Sequence, residues 1–241
     1  ITGIVNQYTV NPTLDFSAFE NLVGGSDVDI FTFQPGASLV GNLDGGGGLD
    51  LLSYAPYLVG SPVVVDLAAG TATDIGGTVS NVENANGGSD NDSLSGDAAN
   101  NILTGGPGDD DLTGRAGDDT YIFADGWGTD TIFENAAEGR DTLDFSAVTF
   151  SLAADINAAI TIIGSGNQAS HNGNHIEVVI GGIAADTFTI TGDRPVTLIG
   201  SGGIDLFIFN DASSLTNGAY LNGSGGIDTL DYSSYKDPRN W

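Results

Sequence analysis

An all-β parallel β-helix, a solenoid of short stacked strands, is the fold class this chain predicts. Three observations predict it: a nine-residue repeat, glycine at fixed places within it, and an aspartate two residues before each apolar residue. The clearest copies are Gly105-Gly106-Pro107-Gly108-Asp109-Asp110-Asp111-Leu112-Thr113 and, directly after it, Gly114-Arg115-Ala116-Gly117-Asp118-Asp119-Thr120-Tyr121-Ile122. Both fit Gly-Gly-x-Gly-x-Asp-x-U-x, where U is a large apolar residue, and the second departs only at Arg115. A third copy, residues 45–53, lies far upstream and fits at every position.

Each part of the repeat has a physical reason. The glycine half must turn sharply and take positive φ, which glycine does without steric cost. It also leaves carbonyl oxygens exposed. The aspartate at position six adds a hard carboxylate, so each turn offers the oxygen ligands that Ca²⁺ prefers. The last three residues form a very short strand whose U side chain points inward and whose neighbours point out. One nonad makes a loop and a strand, and two make a turn of a coil. No nonad can bury its own apolar residue, so several must stack. Nonads of this kind mark calcium-binding parallel β-helices.

Weaker copies follow in the same frame. Residues 87–95 keep the glycine pair, Asp92 and Leu94, and the next nonad has Asn101 and Leu103 in the aspartate and core places. Residues 125–133 carry Asp130 and Ile132, and residues 136–144 keep Gly139, Asp141 and Leu143. Late copies hold Asp186 and Phe188, Asp205 and Phe207, and Asp228 and Leu230. A larger repeat sits above the nonads. Residues 19–25, 82–88 and 176–182 each carry a glutamate (Glu20, Glu83, Glu177) followed nine residues later by an aspartate (Asp29, Asp92, Asp186). In nonad register each glutamate falls on position six, which makes all three expected ligands at the start of a calcium run. A second signature is Asp50-Leu51-Leu52-Ser53-Tyr54, Asp141-Thr142-Leu143-Asp144-Phe145 and Asp228-Thr229-Leu230-Asp231-Tyr232. Tyr57 and Tyr235 follow at equal spacing in two of these, and residues 13–17 resemble a truncated fourth.

A chain of 241 residues has room for one or two domains, and the unbroken repeat favours one elongated solenoid. Five basic and 32 acidic residues give a net charge of −27, which excludes nucleic acid and anionic membranes as partners because both need basic surface. Disorder is disfavoured because 40% of the residues are hydrophobic and the acids sit in register rather than in blocks. The chain is expected to repel itself until roughly eight to ten calcium ions cancel most of its charge. No cysteine is present, so metal is the expected cross-link. Sites built from neutral carbonyls and few carboxylates suit millimolar extracellular calcium. No apolar stretch of about 20 residues exists to insert into a membrane. The chain opens on Ile1 with no visible signal peptide, so it is expected to be processed or part of something longer. The C-terminal pattern stops roughly where the N-terminal pattern begins. That suggests one period of a head-to-tail array, either neighbouring repeats of a longer chain or a subunit that binds copies of itself.

These residues resemble the RTX (repeats-in-toxin) calcium-binding family. The flank from Tyr121 through Trp127 to Phe145 is similar to segments that follow such repeats in large bacterial surface proteins. The Glu-Asn-x-x-Gly-Gly blocks look more like long adhesins than compact secretion tails. The resemblance implies a right-handed parallel β-roll, type I secretion, and folding outside the cell when Ca²⁺ binds. It further implies ions shared between successive turns on one edge, held by position-six side chains and loop carbonyls. Carried over, that assigns Asp110 and Asp119 with Gly106, Gly108 and Gly117, then Asp92, with Asn101 as a weakened site. Asp29, Asp50, Asp130, Asp141, Asp186, Asp205 and Asp228 follow in more irregular turns. The expected organisation is a roll over residues 1–145, with its strongest nonads at 45–53 and 87–144, an irregular segment at 146–175, and a second roll block at 176–241. The middle segment is open among a cap, an inserted β element and a subunit interface.

Other chemistry is poorly supported. His171 and His175 are spaced for a helical zinc site, but Asn172-Gly173-Asn174 between them forms turns, so a solvent loop is expected. Gly164-Ser165-Gly166 and Gly200-Ser201-Gly202 lack the strand–turn–helix setting of phosphate loops. Asp109/Asp110 and Asp118/Asp119 read as a loop residue and a ligand rather than an acid–base pair. Tyr54, Tyr57, Tyr232, Tyr235, Trp127 and Trp241 read as packing rather than a glycan site. The expectation is therefore not an enzyme but a structural calcium-binding module of a secreted bacterial adhesin, surface-layer protein or extracellular filament. The alternative is the folding and secretion domain of a larger secreted enzyme or toxin.

Overall fold

The computed structural model describes residues 2–4, 14–15, 19–135, 139–173, 175–191, 195–210 and 220–234. Tyr235, Trp241 and most of the truncated signature at 13–17 lie outside these. None of the described residues is helical, and the strands are two to five residues long. This length follows from the nonad, whose turning half leaves about three residues to extend.

Two long sheets face each other across one core, and successive nonads alternate between them. The first sheet stacks Ile30–Thr32, Leu51–Ser53, Asn84–Asn86, Ile102–Thr104, Thr120–Ile122, Asp141–Asp144, Ile176–Ile180, Thr197–Ile199 and Tyr220–Asn222, all parallel. Register places Phe31, Leu52, Ala85, Leu103, Tyr121, Leu143, Val179 and Leu198 in one inward row, and all are buried. The second sheet stacks Val64–Asp66, Ser93–Ser95, Asp111–Thr113 and Thr129–Phe133 in parallel, with Val65, Leu94, Leu112 and Ile132 in its row. A small third sheet pairs Leu22–Val23, Leu43–Asp44 and Val79–Ser80 in the front turns. The chain is thus an all-β parallel roll, and the U positions of the nonads are its core except at Leu230 of the last copy, which is exposed.

The irregular segment is part of the second sheet. Ala153–Ile156, Ile160–Gly164 and Asn167–His171 form an antiparallel meander. Its last strand lies parallel on Thr129–Phe133 and its first lies parallel on Thr187–Ile190. The first sheet has no such insertion, because Asp141–Asp144 pairs directly with Ile176–Ile180. Crossing the meander shifts the rows by two residues. Asp130 stands opposite Ala169, which leads through Ile162 and Ala154 to Phe188 of the core. The position-six row of one block thereby becomes the core row of the next. A shorter version precedes residue 80, where Val64–Asp66 pairs antiparallel with Thr71–Ala72.

Aromatic residues fill the widened turns. Phe123 stacks on Phe145 at 4.3 Å, and Trp127 lies 5.4 Å from Phe145 and 5.6 Å from Phe150. Tyr54 and Tyr57 meet edge to face at 5.2 Å and are buried, whereas Tyr232 stacks on Phe209 at 4.6 Å and stays 44% exposed. His171 departs from the expected solvent loop. It ends a strand, sits buried in the core row beside Ile132, and places Nδ1 3.1 Å from the Ile132 carbonyl.

Candidate metal centres along the roll edges

Position six directly precedes a strand or lies within its first two residues, so parallel stacking lines these side chains up at the sheet edge. The backbone joins them into ladders. Asp92 N–H donates to Asp110 Oδ1 at 2.8 Å, and Asp110 N–H to Asp130 Oδ1 at 3.0 Å. On the other edge Asn101 N–H donates to Asp119 Oδ1 (2.7 Å), Asp119 N–H to Asp141 Oδ1 (2.9 Å) and Asp141 N–H to Glu177 Oε2 (2.9 Å). Asp29 donates to Asp50 (2.7 Å) and Asp50 to Glu83 (2.8 Å) in the front turns. Asp186 donates to Asp205 and Asp205 to Asp228, both at 2.9 Å, behind the meander. Each aspartate acceptor spends Oδ1 on the preceding turn, and Asp50, Asp110, Asp119, Asp205 and Asp228 turn Oδ2 towards the first glycine of their own loop.

That loop is shaped to receive a cation. A β-carbon on Gly181 would lie 2.5 Å from Asp186 Oδ2 and 2.9 Å from the Gly200 carbonyl of the next turn. One on Gly96 would lie 2.7 Å from the Gly114 carbonyl, and one on Gly105 would run into the Asp110 carboxylate. The first glycine therefore leaves a hollow walled by a carboxylate oxygen and a neighbouring carbonyl, both acceptors. The Oδ2 atoms of Asp50, Asp110 and Asp205 are buried there without a hydrogen-bond partner, and those of Asp130 and Asp141 are equally buried and unmatched in nonads that open on Asp125 and Ala136. Buried acceptors left unmatched cost roughly 1–3 kcal/mol each, more when charged, and a hard divalent ion matches them. Burial, the largest influence, raises the Asp110 and Asp141 carboxyls to about 7 and Asp130 to about 8, against smaller opposing hydrogen bonds. Gly106, Gly108 and Gly117 turn the loops at φ of 102°, 154° and 114°.

The ladder heads differ. Asp92 accepts from Val63 N–H (2.7 Å) and Gly88 N–H (2.5 Å), and Asp186 accepts from Leu152 N–H (2.8 Å) and Gly182 N–H (2.7 Å). Asp29 Oδ2 likewise accepts from Gly25 N–H. Two N–H groups orient each of Asp92 and Asp186, and Gly25 N–H holds Asp29. Past Glu177 the corresponding place on the first sheet is Val196, buried and apolar, so among the described residues the rear block offers ladder carboxylates on one edge.

Three expected ligands are placed differently from the sequence reading. Glu20 is exposed and one residue out of register, because Asn21 directly precedes the strand Leu22–Val23 and accepts from Asn42 N–H at 2.8 Å. Glu83 and Glu177 end their ladders instead of starting them. Glu177 is the extra residue where the pairing shifts between Asp141 and Thr142, a bulge that aims its carboxylate at Asp141 N–H. Arg115, the departure from the nonad, takes φ of 78°. Its guanidinium holds both oxygens of Asp66 at 2.8 and 2.9 Å and the Gly96 carbonyl at 2.8 Å. The sequence reading missed Glu134, which is buried beside Asp119 and Asp141.

Asn101 shows what a turn does without a carboxylate. Its Nδ2 donates to the Glu83 carbonyl at 2.7 Å and its Oδ1 accepts from Asp97 N–H at 2.8 Å. An amide N–H here engages a loop carbonyl, the kind of oxygen a cation would take. Asn101→Asp is expected to add one calcium ion per chain, read by equilibrium dialysis. Unchanged stoichiometry would show that this hollow cannot take a metal.

Residues 86–121 match the family described as the RTX calcium-binding nonapeptide repeat (4 copies). No curated protein matches the chain. The matched span contains Asp92, Asn101, Asp110 and Asp119, and the same glycine–carboxylate hollow recurs outside it at Gly24, Gly45, Gly181, Gly200 and Gly223. At residues 86–121 this chain carries RTX calcium-binding nonapeptide repeats, which bind several calcium ions.

Proposed function

We propose that the chain is a calcium-stiffened structural module of a secreted bacterial adhesin, surface-layer protein or extracellular filament, with no catalysis of its own. It works beside neighbouring repeats or further copies of itself. The observation carrying this reading is a larger unit present twice. Tyr57 lies against Gly88 in one copy and Val148 against Gly182 in the other. Val63 N–H caps Asp92 in one, and Leu152 N–H caps Asp186 in the other. Duplication of a whole widened turn lengthens a rod and adds no reactive group.

Two measurements test the reading. Reading the gene on both sides of this segment is expected to find more copies of the same unit. A catalytic domain next to it would overturn the proposal in favour of a folding and secretion domain. Sedimentation velocity in millimolar Ca²⁺ is expected to show end-to-end species growing with concentration if copies of the chain themselves assemble. A calcium-folded monomer at every concentration would leave neighbouring repeats of one longer chain as the partner.

A further inference from the structure

The strand Thr129–Phe133 lies parallel on Asp111–Thr113, with Phe133 opposite Thr113. Glu134 therefore follows its strand where Gly114 follows the strand of the preceding turn. Ordinary turns keep glycine at this place because the carboxylate of their own nonad folds against it. Glu134 instead brings a side chain there, and its residue is only 5% exposed. One carboxylate oxygen from each of Asp119, Glu134 and Asp141 lies within 4.8 Å of the others, and all three residues are buried.

Two independent observations say that this cluster faces a ligand. Asp141 is 1% exposed, and its Oδ2 is buried with no hydrogen-bond partner. A β-carbon on Gly114 would collide with Asp119 Oδ2 and Glu134 Oε1 and lie 2.7 Å from the Tyr121 hydroxyl. The hollow shaped to receive a cation elsewhere on the roll is here ringed by an extra anionic oxygen. The Tyr121 hydroxyl donates to Glu134 Oε1 and so fixes which way the carboxylate points. Three carboxylates this close in a buried setting cannot all ionise without a compensating cation.

We propose that Asp119, Glu134 and Asp141 form a tricarboxylate calcium site, the tightest on the roll and the first to fill, with Tyr121 as the residue that positions Glu134. The donors are all hard oxygens, which favours Ca²⁺ over thiolate- or imidazole-seeking metals. Affinity at such sites rises with the number of charged ligands, and this is the one group of three carboxylates brought together among the described residues. The inference rests on the calcium reading of the roll.

The test is calcium titration of the whole chain in chelator-buffered solution, followed by calorimetry. One ion is expected to bind more tightly than the rest. Glu134→Gln keeps the shape and should weaken that ion about tenfold or more, leaving the remaining ions unchanged. Glu134→Gly restores the regular nonad and should lose the same tight class while folding at higher calcium. It serves as the second variant if the glutamine form does not fold. Terbium gives a separate readout: the first equivalent should emit on tyrosine excitation, and Tyr121→Phe should remove that emission. Wild-type and Glu134→Gln titrations that superimpose would overturn this inference alone. A wild-type chain that binds no calcium would overturn the calcium reading itself.

Discussion

Withdrawal of calcium is expected to unfold this chain from end to end. Its strands are two to five residues long, too short to form without the stacked core, and the stack brings carboxylates into register on both edges. Without metal, Asp92, Asp110 and Asp130 stand one turn apart in a chain of net charge −27. Repulsion between them and the unmatched Oδ2 atoms oppose the burial of Leu94, Leu112 and Ile132. Binding free energy is then folding free energy, and ions that bind only the folded state stabilise it by mass action. Circular dichroism and sedimentation in millimolar Ca²⁺ should report a compact β protein, and excess EGTA should give an expanded chain. Asp110→Ala together with Asp119→Ala removes a ladder rung from each edge and is expected to raise the calcium midpoint on the order of tenfold, about 1.4 kcal/mol. An unchanged midpoint would sink the assignment of these two residues.

Acidification of the calcium-free chain is expected to restore part of the fold. Burial holds Asp110 and Asp141 up to about 7, Asp130 to about 8 and Asp186 to about 6, against an unfolded value of 3.8. A carboxyl raised in the folded state binds its proton more tightly there than in the unfolded chain. Its contribution to stability is therefore complete below about 4 and is lost as pH climbs through the folded value. In EGTA the β signal should accordingly grow as pH falls from about 8 towards 4, with the net negative charge falling in parallel. Calcium added near pH 7 should also release protons, because an ion bound at Oδ2 displaces them. A calcium-free chain equally unfolded at pH 5 and pH 8 would contradict the burial of these groups.

Much of the roll was legible because glycine, aspartate and the apolar residue answer separate physical demands at fixed spacing. Leu94, Leu103, Leu112 and Tyr121 could be placed in the core from the nonad alone, and they lie there. The front turns were harder. Glu20 looked like its counterparts because the surrounding letters match, but a one-residue offset gives Asn21 the ladder place. Glu177 required a bulge, which leaves no local signature in the sequence. The meander was visible as a scarcity of acids, with Asp155 alone between Ser146 and Asn174. Its two-residue shift was not, since strand register depends on pairing between residues far apart in the chain. His171 looked solvent-facing because turn-forming residues follow it, whereas its strand continues the Ile132 row. Glu134 was readable in principle, as an acid where the frame expects glycine, but its inward direction comes from Tyr121 in the turn before.

The two-residue shift at the meander makes this roll something other than a uniform rod. In a solenoid each turn senses only its immediate neighbours, so order spreads along it as in a one-dimensional lattice. Ala169 stands where the next carboxylate of the Asp130 row would fall, and Val196 does the same past Glu177. Ion-to-ion communication is therefore broken at this boundary, while the apolar core runs through it. Filling should come in two cooperative stretches, a two-edged front and a one-edged rear. A strand of such units pulled from its ends would give way in steps, each short and recoverable, and not in a single collapse.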